Sequence, residues 1–436
     1  KRKKKVAIIG SGMAGLAASH AITSSKRYSS DVSVTIFEAN PLPGLAGHST
    51  FISSQLVDVP ARMSHKGYYK HLGGLLSSLR LATKIVRTDC TYYGDDGSGG
   101  KVVHAYDKSM LYNAFNTIFH MGLRPLKQLV HAVSSTDKGK RGSSSDNVET
   151  FGDWMILHFR FKNNSTKHNL PSLTCRENPF LYITIGSLCW MLSCTYEQLT
   201  NYPLDIVLPY LRECVDGSIR FFGKGQVARV DPSIRALQQT LLYGVDALHC
   251  NKRVTNIDEH RVIDGVAYDA IICATEAKAV TKVMKHSPSV FSKMNYHPSV
   301  IYLHTDESFM PPNKSDWRCW NVEQKSGREE PQLTFWLNEF YPGSTFDLNV
   351  FQTWAPLRAP PADLVIKRFD LQRVVHTKDT REHIEQIERE QGGNRIYFAG
   401  SYCKYGMGLL EEASISGTKI AQAVLRDLFE KSNGVH

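Results

Sequence analysis

The sequence contains no CxxC pair, no run of twenty apolar residues and no dense block of like charge beyond Lys1–Lys5. Each absence excludes a class. Nine cysteines are spread singly. An odd count without a framework argues against a disulfide scaffold and for reduced thiols in a cytoplasmic, reducing compartment. No zinc-finger, RNA-recognition or aromatic-interleaved basic pattern occurs. The excess of 52 basic over 42 acidic residues is scattered, so no nucleic-acid partner is expected. The basic run before the first apolar strand reads as a solvated lead-in, a nuclear-targeting or membrane-surface role being the lesser reading. No Ser/His/Asp triad and no metal-ligand constellation stands out, so no metal is expected. A signal peptide is not legible, and because the first residue is Lys rather than Met, an upstream targeting segment stays open.

One uncharged stretch, Phe180–Tyr196, is short of the roughly 20 apolar residues a spanning helix needs. It also carries Thr184, Gly186, Ser187, Ser193 and Thr195. It reads as a buried or pocket-lining helix, with peripheral membrane contact as the minority alternative. Ser134–Asp146 and Gly94–Gly100 read as solvated loops.

What is present begins at once. Val6-Ala7-Ile8-Ile9 suits a strand buried on both faces. It runs into Gly10-Ser11-Gly12-Met13-Ala14-Gly15 and then into helix formers. This is GxGxxG between a strand and a helix, the context the motif requires. Gly10 permits the tight turn, Gly12 lets backbone approach a pyrophosphate, and Gly15 lets helix and sheet pack closely. The N–H groups of Met13 and Ala14 begin a helix whose positive end favours phosphate. A second strand, Val32–Phe37, ends in Glu38. A carboxylate there accepts hydrogen bonds from a ribose diol and repels a 2′-phosphate, which disfavours NADP.

The residues after Glu38 choose between dinucleotides. Ala39 is followed by Asn40-Pro41-Leu42-Pro43-Gly44-Leu45-Ala46-Gly47-His48-Ser49, a Pro/Gly loop where NAD enzymes continue into a helix. Near the other end, Arg395–Ser401 is an apolar strand closing on Gly400 and Ser401, and Glu411–Ala421 starts a helix beside Leu410.

In these segments the sequence resembles the FAD-dependent amine oxidase and desaturase superfamily, which has a Glu-Ala strand end, a glycine-rich loop, and a closing Ala-Gly-Asp strand followed by a flavin-facing helix. Two features depart from that pattern. The usual Gly-Gly-Arg is replaced around Gly44 and Gly47-His48-Ser49, leaving Arg62 as the substitute phosphate or flavin contact. Ser401 stands where Asp is usual. The resemblance implies that Val254, on an expected Val254–Ile257 strand, brings backbone to the adenine. It also implies that Ala274, ending the Tyr268–Thr275 strand, lies at the cofactor edge. The series Ser299–Asp306, Trp317–Asn321, Leu333–Asn338 and Phe346–Asn349, with Val57–Met63 and Gly67-Tyr68-Tyr69, is similar to a narrower subgroup. Its members are amine-oxidase-like flavoproteins related to the N-terminal region of plant cyclopropane fatty acid synthases.

The expected fold is α/β: a Rossmann-like FAD-binding domain of the glutathione-reductase/amine-oxidase type, interleaved with an α+β substrate domain on an antiparallel sheet. The expected division is 1–90, 225–290 and 385–436 for the first, and 91–224 with 291–384 for the second. FAD is the expected cofactor and a small apolar molecule the expected partner, with oligomeric state open. Candidate catalytic groups are Lys404 and Tyr402, in the loop before the last helix, and His304. Trp317, Trp320, Phe335 and Trp336 are candidate pocket aromatics. The leading activity is hydride removal from a fatty-acyl-like C–H. Amine oxidation, redox-neutral double-bond isomerisation and a non-catalytic flavin-fold binding protein remain as alternatives.

Overall fold

The computed structural model describes residues 2–95, 101–106, 123–135, 148–159, 178–220, 227–325 and 327–430. Most of the two Ser/Gly-rich stretches, and Cys175, lie outside the described residues.

The first strand, Lys4–Ile9, sits at the centre of a five-stranded parallel sheet. Its neighbours are Val32–Phe37 on one side and Ala270–Cys273 on the other, with Ala247–His249 and Ile396–Phe398 at the two edges. Alternation along these strands feeds two different cores. Val6, Ile8, Val34, Ile36 and Ile272 face Leu16, Leu237 and Val424. Ala7, Ile9, Phe37 and Ile271 face Val280, Phe291 and Ile387. A strand covered on both faces must be apolar at every position, which explains the unbroken Val-Ala-Ile-Ile run.

The helix after the glycine turn, Met13–Thr23, lies against the closing helix, Leu410–Phe429. Their approach is set by Gly417: a Cβ there would stand 2.1 Å from the Ala14 carbonyl oxygen.

A second, seven-stranded sheet runs in the order Val365–Val375, Asn295–His304, Phe351–Trp354, Gln332–Trp336, Trp320–Gln324, Cys90–Asp95, Lys101–Tyr106. All of its pairings are antiparallel except that of Trp320–Gln324 with Cys90–Asp95. Helices Leu123–Ser135, Phe151–Phe159, Pro179–Leu192 and Leu204–Arg220 form a cap with its own core of Trp154, Ile185, Leu192, Tyr202 and Val207. The uncharged stretch is thus the cap helix Pro179–Leu192. Asn178 starts it, its side chain accepting from Phe180 N and Leu181 N at 3.1 Å, with Pro179 following the cap. Ser193, left-handed at φ 48°, ends it. Gly186 lets it settle on the second sheet, where a Cβ would meet Gln324 Nε2 at 2.7 Å. No helix among the described residues is long and apolar enough to cross a membrane.

The fold expected from the sequence, a Rossmann-like unit with a parallel sheet joined to an antiparallel-sheet unit of the amine-oxidase type, is the fold observed. One element differs. Val254–Ile257 is not a strand; Ile257 makes only an isolated bridge to Met284. The preceding residues are tied elsewhere, Asn251 N to Asn40 O and Lys252 N to Glu38 O. The chain therefore turns past the sheet edge instead of joining it.

Candidate functional site

The glycine turn is braced by backbone contacts. Gly10 has φ +99°, and a Cβ there would lie 2.6 Å from the Ala274 oxygen. A Cβ on Gly15 would lie 2.0 Å from the Gly10 oxygen. Gly12 differs: its φ is −67°, ψ −179°, and a Cβ on it would meet no atom within 4 Å. Packing therefore requires glycine at 10 and 15, whereas at 12 the absent side chain leaves open space.

That space belongs to a cavity of about 780 Å³. One part of its wall comes from the parallel sheet and the closing segment: Gly12, Met13, Ala14, Ala274, Gly400, Ser401, Tyr402 and Leu410. Another part comes from the cap helix and second sheet, with Trp190, Met191, Trp320, Trp354 and Arg373. Arg62 and Tyr69 also line it. Pockets of roughly 300–1,000 Å³ with mainly apolar walls are the usual size for small-molecule and cofactor sites.

The strand-end acid is fixed by its own chain. Glu38 Oε2 accepts from Ser11 N (3.0 Å) and Ser11 Oγ (2.6 Å), and Oε1 accepts from Asn40 N and Nδ2, both at 2.9 Å. Ser11 Oγ also accepts from Gly44 N at 2.7 Å, which binds the Pro/Gly loop to the glycine turn. A Cβ on Gly44 would lie 3.1 Å from Gly12 N, and one on Gly47 would lie 2.9 Å from Pro43 O. Both glycines keep this loop folded tightly, and neither lines the cavity. Ala39 and Val254 also lie off it; Val254 packs in the core with Phe37. His48 is half-buried with its ring edge-on to Phe369 at 5.7 Å. Burial first, then the Arg62 charge, lowers its pKa.

Of the three candidate catalytic groups, only Tyr402 reaches the cavity. Burial pushes its phenol well above the ordinary value, so it stays protonated near neutrality. His304 is fully buried within the second sheet: Nε2 pairs with Thr353 Oγ1 at 2.7 Å, and Nδ1 accepts from Asp306 N at 3.1 Å. Burial lowers its pKa to about 4. Its expected place in the pocket is corrected to that of a satisfied core imidazole. Lys404 likewise does not line the cavity. The adjacent Tyr405 turns to the surface, donating to Asp205 at 2.6 Å beneath the Arg381 guanidinium.

Among the expected pocket aromatics, Trp320 lines the cavity. Phe335 is buried in the core of the second sheet, and Trp317 and Trp336 form a separate cluster with Phe351. Trp354, Tyr69 as a wall residue, and Arg373 were not singled out from the sequence. The strand alternation of Val365–Val375 could have marked Arg373 as inward-facing, because it shares a face with Phe369, Leu371 and Val375, all apolar and at least partly buried.

The acids at the start of the closing helix do not face the cavity. Glu411 accepts from His71 N (2.7 Å) and Leu72 N (2.9 Å), capping helix Lys70–Ser78. Glu412 accepts from Tyr68 Oη (2.6 Å) and Leu409 N (2.8 Å). Their partners hold both carboxylates away from where the Leu410 end meets the cavity. No group of His, Cys, Asp and Glu that could hold a metal occurs among the described residues.

The site is thus a glycine turn at a helix start facing a cap-covered cavity. Comparison with known proteins agrees at the level of fold. Residues 8–79 match the NAD(P)-binding Rossmann-like domain family. No curated protein sequence matches the chain. Solved structures do. The CLA-producing fatty acid isomerase from P. acnes aligns over 98% of this chain and 99% of its own, at 14% identity and TM-score 0.63. Cyclohexylamine oxidase from Brevibacterium oxydans IH-35A aligns over 98% and 99%, at 15% identity and TM-score 0.60. An oxidoreductase from Methanosarcina mazei aligns over 96% and 100%, at 14% identity and TM-score 0.61. At these identities the likeness is one of fold.

Proposed function

We propose that the chain is an FAD-dependent oxidoreductase acting on a C–H bond of a small, largely apolar molecule. The observation that carries this reading is the single cavity joining the Gly12–Ala14 turn to the tryptophan-walled chamber under the cap. The residues fit the cofactor: the open space at Gly12 is a cradle that a Cβ would fill, and backbone N–H groups at the helix start suit a pyrophosphate. Gly12, Met13 and Ala14 would hold the phosphates. Gly400, Ser401 and Leu410 would flank the ring end, with Ala274 at the edge. Glu38 would meet the ribose once a hydroxyl displaces the Asn40 amide, since its acceptor positions are otherwise filled by the chain.

FAD supplies a two-electron acceptor for hydride; the protein supplies the rest. Trp190, Trp320 and Trp354 give an apolar wall that orients substrate and excludes water. Tyr402 is held protonated with its ring packed beside Phe291, and so is not a base. Redox-neutral isomerisation of an unsaturated acyl chain is the second reading. It is favoured by these apolar walls and by the name of the P. acnes neighbour. Amine oxidation is disfavoured, because Arg62 and Arg373 on the wall would repel a substrate ammonium. The test is the absorption spectrum of purified protein, with an expected band at about 450 nm that is released on denaturation. Under anaerobic conditions the band should bleach with substrate for an oxidoreductase, and persist during turnover for an isomerase. A fully reconstituted protein that neither bleaches nor turns over any apolar C–H donor would leave only the non-catalytic binding protein.

A further inference from the structure

Five cavity-lining residues carry donors left incompletely satisfied among the described residues: Arg62, Trp190, Trp320, Tyr402 and Arg373. Among the described residues, neither Arg62 Nε nor Trp190 Nε1, both buried, has a hydrogen-bond partner. Among the described residues, Arg373 makes one hydrogen bond, from Nη1 to the Met191 carbonyl at 2.7 Å. That bond seats it on the last turn of the cap helix, next to Trp190. Neither guanidinium is ion-paired among the described residues. Asp58 is the carboxylate that Arg62 senses. Its oxygens are already engaged, Oδ1 by Ser49 Oγ at 2.8 Å and Oδ2 by Ile234 N at 2.9 Å. Glu276, the carboxylate on the cavity wall, stands beside Ala274 and Thr275 with Lys278 and Lys282 as its charged neighbours.

Two like charges held together in a cavity wall, with the Asp58 carboxylate acting on Arg62 alone, are costly, and the cost falls when an anion enters. The strain registers on the groups themselves: burial and the neighbouring Arg373 bring Arg62 down to about 10, and burial lowers Arg373 as well. Planar guanidinium forks match carboxylate and phosphate oxygens in geometry.

We infer that Arg62, Arg373 and Trp190 form a receptor for the anionic end of the substrate, a carboxylate or phosphate ester on an apolar body lying against Trp320 and Trp354. This rests on the reading of the cavity as a substrate chamber. It moves Arg62 from the cofactor, where the sequence suggested it, to the substrate.

The test is calorimetric titration of the full chain with dodecanoate, dodecyl phosphate and dodecanol, with and without bound flavin. Charge-assisted bonds predict at least about tenfold tighter binding of one anion than of the alcohol; the anion preferred identifies the head group. Arg62→Gln and Arg373→Gln should each erase the preference while FAD content per chain stays unchanged. Equal binding of all three probes by the wild-type protein would overturn the inference without reliance on any variant. So would a preference that survives both substitutions, or an Arg62→Gln protein that loses FAD and keeps the preference. A colourless protein that still selects the anion would retain the receptor and sink the flavin reading alone.

Discussion

Two buried imidazoles make the stability of this protein sensitive to mild acid. His304 is held by Thr353 and Asp306, and His376 lies edge-on to Tyr202 at 6.0 Å with neither ring nitrogen bonded among the described residues. Burial lowers both to about 4 from 6.5. The unfolded chain then binds more protons than the folded one between these values. Stability is complete above about pH 6.5 and is lost as pH falls toward 4. Each histidine should cost about 2 kcal/mol between pH 7 and pH 5. Asp58 and Glu412 are shifted upward by burial and act in the opposite sense, so a variant is needed to isolate one group. Urea unfolding of wild type and His376→Phe at the two pH values should give a profile flatter by about that amount in the variant. Parallel profiles would show that His376 is not neutral in the fold.

Between elements, glycine acts oppositely at different helix positions. Alanine is favoured over glycine inside a helix by about 1 kcal/mol. At Gly73, exposed on helix Lys70–Ser78 with nothing within 4 Å of a Cβ, Gly73→Ala should raise stability by up to that amount. At Gly417 the Cβ would strike the Ala14 carbonyl at 2.1 Å. There the overpacking cost of about 1–3 kcal/mol exceeds the propensity gain. Gly417→Ala should therefore lower the melting temperature and FAD occupancy together, because Ala14 is part of the cradle; a more stable, fully loaded variant would contradict this packing. The same contrast explains what the sequence revealed. Gly10, Gly12 and Gly15 are legible because their roles are local to one turn. Gly417 acts across four hundred residues, and nothing beside it in the chain signals that. The Val254–Ile257 segment was misread for a related reason: the family resemblance implied a strand, but hydrogen bonds from Asn251 and Lys252 to Asn40 and Glu38 set the path of the chain leading into it.

At the scale of the whole molecule, the sequence located the glycine-turn side of the cavity and left the cap side mostly unread. The residues from Gly12 to Ala14 and from Gly400 to Leu410 lie in two motifs, whereas the opposing wall is assembled from a cap helix and several strands whose register is set by long-range pairing. Trp354 and Arg373 reach the cavity only through that register, and His304, equally suggestive in sequence, is turned into the sheet by it. The central claim is that the space at Gly12 is where FAD binds. Flavin bound per chain, measured by absorbance after reconstitution, tests it most directly when wild type is compared with Gly12→Val. The backbone at Gly12 is extended and accepts a β-branched residue, and the added side chain meets no protein atom in its first shell. Wild type should hold one FAD, and the variant should fold normally and hold essentially none. A folded wild-type protein that cannot be reconstituted, or a Gly12→Val protein that retains its flavin, would contradict the account.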